Sequence, residues 1–515
     1  MELAYSAPQT APPPLASNRL ATESSISRAL WLKPFGIFIL AFLLYSLSRS
    51  PALDEIDSVN FAMGVQHYNL WEHQPHPPGY PLYVFFGWIG HLLGASPEVS
   101  LHFVSALGGA MFVAVWFAIV RIQFNERLAW WVSGCLVITP AVWMTATKVL
   151  SDCPAAAFLS AQILAAIYYS RGGRRNALFA TSLLGAAAMG VRPQLFLVVF
   201  TVLITALWQR SDKTWRQSVL AWAMLIGASL CWLIPMWWIQ ARLHPDVAVG
   251  SVYPKLVYKF WAGRLHKPDM YLFAGDWSPK YLATKCVFHF LGWFGVGFGF
   301  IQSWLALVAG ALVSLLGVGA YVFRPKEPQD AAFWKFHTGW AVVHIAGIFV
   351  SVTASQRYYV VIFPLLLVAL FRGLLRLAPQ WNKLAFAVPA VLLLSAIPSA
   401  IANHRDDPPP LRFIQYLEQL YPSEQRNRVV LVLSTRTKRH AEWYGKGFTV
   451  VSPVPPAAEL PAPTKDAIAV YTDDGFAPLP TGWYRVPLNA FGRSVMIYWK
   501  VHYLELYLVD RHNVQ

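Results

Sequence analysis

Charge is scarce in this chain. Asp, Glu, Lys and Arg supply 13% of its 515 residues, while hydrophobic residues supply 56%. Soluble domains carry roughly 25% charged residues, so the balance excludes an ordinary soluble fold and indicates a polytopic membrane protein. A mean hydropathy of +0.42 agrees. Cysteine is scarce too. Of four, Cys135 and Cys231 fall inside apolar segments, Cys153 at the edge of one and Cys286 at the start of another. No spacing among them suits a zinc site or a disulfide framework. There is no Gly-rich nucleotide loop and no convincing internal repeat. Acids are the rarer sign, 26 against 41 Lys and Arg, giving a net charge of +15. In a soluble protein that excess would suggest nucleic acid. Here the cations punctuate apolar segments, as membrane topology requires, and no nucleic-acid partner is expected.

What is abundant is apolar sequence of bilayer length. Residues 1–28, rich in Ala, Pro, Ser and Thr, read as a disordered cytoplasmic tail. Crossings are expected near 32–48, 99–120, 128–147, 153–170, 176–191, 194–209, 217–239, 300–323, 335–353, 357–371 and 383–402. The first lacks a small-residue cleavage site after it and reads as an uncleaved helix. The segment 81–93 is apolar but short, and charge decides its state. If it lies in the interface, thirteen cations, from Arg121 to Lys383, fall in one set of loops. The short loops opposite then hold only Lys148, Arg192 and Arg357. The positive-inside rule places the richer set in the cytoplasm. The long loop 240–299 is the exception, being outside yet basic and aromatic. It suits an anionic lipid headgroup or a plain interfacial belt, and its run 286–299 reads as a second interfacial or re-entrant helix.

The expected fold is therefore an all-α membrane domain over 29–402, with about eleven transmembrane helices and interfacial helices at 50–97 and in 240–299. After residue 402 the composition changes. A helix-like LRFIQYLEQLYP precedes short alternating runs separated by Pro- and Gly-rich turns, which indicates a small α/β extramembrane domain over 404–515 on the outer face. Asp473-Asp474-Gly475 within it reads as a turn.

With that topology the unusual polar residues gather on the outer side. The stretch 53–83 holds Asp54, Glu55, Asp57, His73, His76 and the turn His-Pro-Pro-Gly-Tyr-Pro that includes Tyr80. Lys148 and Asp152 lie in KVLSDCP, Arg192 in GVRPQ, and Arg357 and Tyr358 in SQRYY. Ionisable groups beside bilayer-length helices are costly unless they have a function or water. Bland roles compete with that reading. Asp57 could cap the amphipathic run that follows it, and Asp152 could cap the helix opened by Pro154. Asp54 and Glu55 could be solvated acids, and Pro77-Pro78-Gly79 an architectural turn. Arginines at short outer turns run against orientation, so phosphate contact suits Arg192 and Arg357 better.

The chemistry that uses such a set is sugar transfer from a lipid-linked phosphate. A carboxylate accepts the proton of an acceptor hydroxyl while arginines hold the departing phosphate. The text Asp57-Ser58-Val59-Asn60-Phe61-Ala62, followed by His76-Pro77-Pro78-Gly79-Tyr80-Pro81-Leu82, resembles the GT-C fold glycosyltransferases. The pattern is close to dolichyl-phosphate-mannose protein mannosyltransferases, aminoarabinose transferases of lipid A and related bacterial lipopolysaccharide sugar transferases. RYYVVIFP resembles the same group. The resemblance covers roughly 30–402 and implies an inverting transfer from a polyprenyl-phosphate sugar, with Asp57 as base and Asp152 as a second outer acid. Ser58 departs from the pattern, standing where a second acid is usual, and Asp54 is the other candidate base. Arg192, Arg357 and Tyr358 are then expected at the donor phosphate, and Glu55, His73, His76, Tyr80, Lys148 and Asp152 at the substrates. No resident metal is expected, although a divalent cation requirement stays open. Implied partners are the lipid donor, membrane lipids and an unidentified acceptor, in a bacterial cytoplasmic membrane. A transporter or flippase, or a non-catalytic envelope assembly protein, are the alternatives. The first predicts mid-span ionisable groups and paired broken-helix halves, and the second leaves the first-loop acids unexplained.

Overall fold

The computed structural model describes residues 28–265 apart from 173–174, 211 and 213, isolated residues between 279 and 286, and then 304–351, 356–377, 382–433, 435–451, 468–472, 483–492 and 503–511. The tail 1–27, the re-entrant helix expected at 286–299, most of the loop 266–299 and the turn at Asp473 lie outside the described residues.

The membrane part is helical and multi-pass. Pro97–Gln123, Asp152–Ser170, Trp215–Leu243 and the run Lys383–Leu420 are each long and apolar enough to cross. Glu126–Ile138 and Pro140–Ala146 form a fifth candidate, bent by 56° between them. The segment expected as one span at 128–147 is thus broken, because Pro140 cannot donate to the helix preceding it. Shorter apolar helices occur at Leu32–Leu47, Pro193–Gln209, Gly310–Val322 and Phe363–Leu374. Four or five crossings are therefore clear among the described residues, where the sequence suggests about eleven. The expected span 357–371 does not begin at Arg357. Residues Gln356–Tyr359 form a 3-10 turn, and the helix starts at Phe363 with Pro364 in its first turn.

Helix Pro81–Leu92 has twelve residues, about 18 Å at 1.5 Å per residue, which is short of a crossing. It lies against Pro97–Gln123, where Ser100 Oγ donates to the Gly87 carbonyl at 2.8 Å. Helices Pro97–Gln123 and Asp152–Ser170 meet closely. A Cβ on Gly108 would stand 2.5 Å from the Pro154 backbone.

Beyond the membrane part, five strands among the described residues form one sheet: β1 Val429–Val432, β2 Thr449–Val451, β3 Ile468–Thr472, β4 Trp483–Gly492 and β5 Tyr503–Arg511, in the order β2-β1-β3-β5-β4. The β1 pairings with β2 and β3 are parallel, and those of β5 with β3 and β4 are antiparallel. Helix Pro409–Leu420 buries Phe413, Ile414 and Leu417 with Val429 and Leu431 of the sheet. A second helix, Thr435–Tyr444, was not evident from the sequence, and it reaches the first loop of the membrane part. Tyr444 Oη accepts from the Leu53 amide at 2.9 Å, His440 Nε2 lies 3.1 Å from the Asp54 carbonyl, and Trp443 Nε1 donates to Glu98 at 2.6 Å.

Candidate functional site

Helix Ile56–Gln66 presents the acidic loop. Its N-cap residue is Glu55, which makes no side-chain capping bond, and Asp57 lies in its first turn. Nor does Asp152 cap. Its helix has Ser151 at the N-cap position, without a capping side-chain bond. Both carboxylates point instead to arginines from distant turns. Arg357 Nη1 contacts Glu55 Oε2 at 2.9 Å and Nη2 contacts Asp57 Oδ2 at 2.5 Å. Arg192 Nη1 contacts Asp152 Oδ1 at 2.8 Å and donates to Ser151 Oγ at 3.3 Å. Lys148 pairs with Asp54. Tyr358 lies between the two arginines, their guanidinium carbons 4.9 and 5.3 Å from its ring centre. His344 Nε2 meets the Tyr358 carbonyl at 2.9 Å and steadies that turn.

These groups are nearly dry. Arg357 is 6% exposed, Arg192 9%, Glu55 4%, Asp152 5% and Lys148 1%. Burial works against the Arg357 charge, but Tyr358, Glu55, Asp57 and Asp152 outweigh it and push its pKa further above the usual value. Arg192 behaves alike, with Asp152 the leading favourable neighbour. Both guanidinium groups therefore stay charged. Four carboxylates face three cations across three clusters. Among the described residues, buried Asp152 Oδ2 and Arg357 Nε have no hydrogen-bond partner. Such atoms are costly unless a ligand or water meets them.

The turn 73–80 supplies the next layer. His76 Nδ1 stands 3.6 Å from Asp57 Oδ1, and His76 Nε2 is 2.9 Å from Tyr80 Oη. Gln194 Nε2 donates to Tyr80 Oη at 2.7 Å. Phe61 packs edge-on against the rings of Tyr80 and Tyr83 at 5.0 and 4.9 Å. Helix Trp215–Leu243 fixes the loop from the side, because Gln240 accepts from the Leu70 amide and donates to the Tyr68 carbonyl.

Asp54, Glu55, Asp57, His76, Tyr80, Lys148, Asp152, Arg192, Arg357 and Tyr358 thus share one end of the bundle. His73 does not join them. It is exposed on the rim, in a left-handed conformation that closes the turn Leu70–Glu72. Sequence reasoning missed Gln194, although it stands two residues after Arg192. It missed Ser151 and the contributions of His440, Trp443 and Tyr444 as well. Ser58, where a second acid would be usual, donates to the Val149 carbonyl at 2.9 Å and so ties the acidic helix to the Lys148 turn. Among the described residues no three His, Cys, Asp or Glu side chains are arranged to hold a metal ion. An open cavity lined by Glu126, Arg127, Trp130 and Trp131 sits at the opposite end of the bundle, away from this cluster.

Residues 75–239 match the family model of dolichyl-phosphate-mannose-protein mannosyltransferase. No curated protein sequence matches the chain. Among solved structures, the crystal structure of ArnT from Cupriavidus metallidurans in the apo state is similar at a TM-score of 0.56 and 14% identity, covering 93% of this chain and 98% of that one. The structure of the same protein bound to undecaprenyl phosphate is similar at a TM-score of 0.53 and 13% identity, covering 94% and 98%. The chain is an integral, multi-pass membrane protein with the GT-C fold of membrane glycosyltransferases.

Proposed function

We propose that the protein transfers a sugar from a polyprenyl-phosphate donor to a lipid, glycan or protein acceptor at the outer face of a bacterial cytoplasmic membrane. The observation that carries this reading is the convergence of Asp57, Glu55 and Arg357 with Arg192 and Asp152, residues from four separate turns, at one buried end of the bundle. Such an investment of buried charge is hard to explain as structure alone. The likeness to a structure that holds undecaprenyl phosphate lends support.

In the proposed step the acceptor oxygen bonds to the anomeric carbon as its proton passes to the Asp57 carboxylate. The bond from that carbon to the phosphate oxygen breaks, and the lipid phosphate leaves with the electron pair. Arg192, Arg357 and Tyr358 face the leaving group, and the charge-assisted bonds of the arginines strengthen as its charge develops. Phosphate is already a good leaving group, so one base suffices. Glu55 and Lys148 hold the charges around it, with Asp54 as the base in the competing assignment.

The test is transfer from labelled undecaprenyl-phosphate hexoses and pentoses in membranes that contain the full-length chain. Label should leave one of these donors with the native chain and stay on it with Asp57→Asn at equal expression. Transfer that persists in both Asp57→Asn and Asp54→Asn would remove the base, and with it this reading.

A further inference from the structure

The turn His76-Pro77-Pro78-Gly79-Tyr80-Pro81 does more than redirect the chain. Tyr80 holds a left-handed conformation, φ 50°, and Gly79 precedes it at φ 112°. That region is uncommon for a bulky residue and persists only where the surroundings enforce it. Here Tyr80 directly precedes helix Pro81–Leu92. Its hydroxyl reaches inward, between His76 and Gln194. A Cβ on Gly79 would stand 2.8 Å from both Met236 Sδ and Tyr68 Oη, so a side chain there would displace one of them and strain the positive φ. The turn is also clamped from outside by Tyr68 Oη on the Gly79 carbonyl at 2.8 Å and Tyr253 Oη on the Pro78 carbonyl at 3.0 Å.

One of these hydrogen bonds has a set direction. The Gln194 amide donates to Tyr80 Oη. Burial pushes the Tyr80 phenol up, so it keeps its proton. With the Gln194 N–H directed at its oxygen, the Tyr80 O–H has His76 Nε2 as an acceptor within reach at 2.9 Å. That pairing makes Nε2 the acceptor and leaves the ring proton on Nδ1, which stands 3.6 Å from Asp57 Oδ1, in ion-pair range but longer than a hydrogen bond. Arg357 holds the other carboxylate oxygen.

We infer that Tyr80 and His76, with Gln194 behind them, are positioning residues for Asp57: the chain Gln194–Tyr80–His76 fixes one imidazole tautomer and aims its N–H at the base. The inference rests on the proposed transfer reaction and names the residues that orient its base. His76 is not itself the base, because its only acceptor nitrogen is occupied by Tyr80. The charged and titratable groups around the chain are Asp57 on its own helix, Arg192 beside Gln194, and Arg357 and Tyr358 on the facing turn.

The experiment compares Tyr80→Phe, His76→Asn and His76→Ala in the full-length protein, using the labelled undecaprenyl-phosphate sugar that the native chain consumes. Tyr80→Phe keeps the ring packed on Phe61 but removes the hydroxyl. We expect kcat to fall about two- to tenfold, the range for one lost hydrogen bond between neutral groups, with the donor KM unchanged. The Asn side chain can place an N–H near the Nδ1 position, so His76→Asn should recover activity relative to His76→Ala. Binding of undecaprenyl phosphate alone should survive in every variant, which shows that the site has folded. A native kcat in Tyr80→Phe, or equal loss in His76→Asn and His76→Ala, overturns the positioning role. Those results leave the transfer reading standing as long as Asp57→Asn is inactive. Activity in Asp57→Asn strikes the transfer reading instead.

Discussion

Arg357 is the side chain whose removal the structure makes most costly. It is 6% exposed and holds two carboxylates from a helix some 300 positions earlier, with contacts of 2.9 Å to Glu55 and 2.5 Å to Asp57. Replacing it by Met leaves both acids buried without their cation, and breaking a buried pair in this way costs about 3–5 kcal/mol. Arg357→Lys keeps the charge but reaches one carboxylate at a time, so the loss should be nearer ~1.5–3 kcal/mol, that of one charge-assisted bond. Glu55→Gln removes one of the two acids, so Arg357→Met should cost less in that background than alone. Thermal unfolding of the detergent-purified protein, followed by tryptophan fluorescence, gives the order native, then Lys, then Met. The double variant should unfold above the sum of the single shifts. Strict additivity, within the ~0.5 kcal/mol seen for independent sites, would mean the two residues do not interact, and the buried network would be a misreading.

Other expectations follow from close packing, charge and orientation. Gly108→Ala places a methyl group against the Pro154 backbone, which cannot rotate away. It should lower stability by about 1–3 kcal/mol, whereas Gly134→Ala, where no described residue comes within 4 Å, should not. At the opposite end, buried Asp330 meets Arg372 and Arg376 at 2.9 and 2.6 Å. Burial alone would raise its pKa, but bonds from Arg372 and Arg376 outweigh it and hold the carboxyl below the usual range. Its stabilisation is therefore full above pH ~4 and lost as pH falls through the depressed value. Asp330→Asn should be less stable at pH 7 and flatten that acid limb in heat-inactivation curves. Finally, exposed Ser423 and Gln329 belong to the sheet domain and to the Asp330 end. In a background without the native cysteines, Ser423→Cys should label with an impermeant thiol reagent from outside and Gln329→Cys only after lysis. Labelling of both from one side would break the topology.

The residues of the site were legible because ionisable groups at the ends of apolar segments are conspicuous. Arg192 and Arg357 stood out by that test, while Asp57 and Asp152 were singled out with the help of the resemblance. Their pairing was not legible. Glu55 and Arg357 are 302 residues apart, and nothing in either loop states which acid meets which cation. The break at Pro140 was written in the sequence, but an apolar window averages across it and returns a single span. Helix Thr435–Tyr444 was hidden for the opposite reason. TRTKRHAEWY is strongly polar, and its docking face becomes visible only when Leu53, Asp54 and Glu98 stand opposite it. Gln194 carried no charge to draw notice, and its role follows wholly from where Tyr80 places its hydroxyl.

The ion pairs also rank the two arginines for the proposed chemistry. A lipid phosphate brings negative charge to a cluster already rich in carboxylates, so it must compete for a guanidinium that is already engaged. Arg192 has one carboxylate partner, Asp152, and a weak contact to Ser151 at 3.3 Å. Arg357 has two, one of them the proposed base. Drawing Arg357 away would unmoor Asp57, whereas Arg192 can turn to a phosphate and leave the base in place. Arg192→Lys, which loses the forked geometry but keeps the charge, should then raise the donor KM about tenfold with kcat less affected. Arg357→Lys should lower kcat more than it raises KM, because it disturbs the orientation of Asp57. Steady-state transfer at varied donor concentration separates the two. If both variants moved KM alone, Arg357 would be a second phosphate ligand and no anchor of the base.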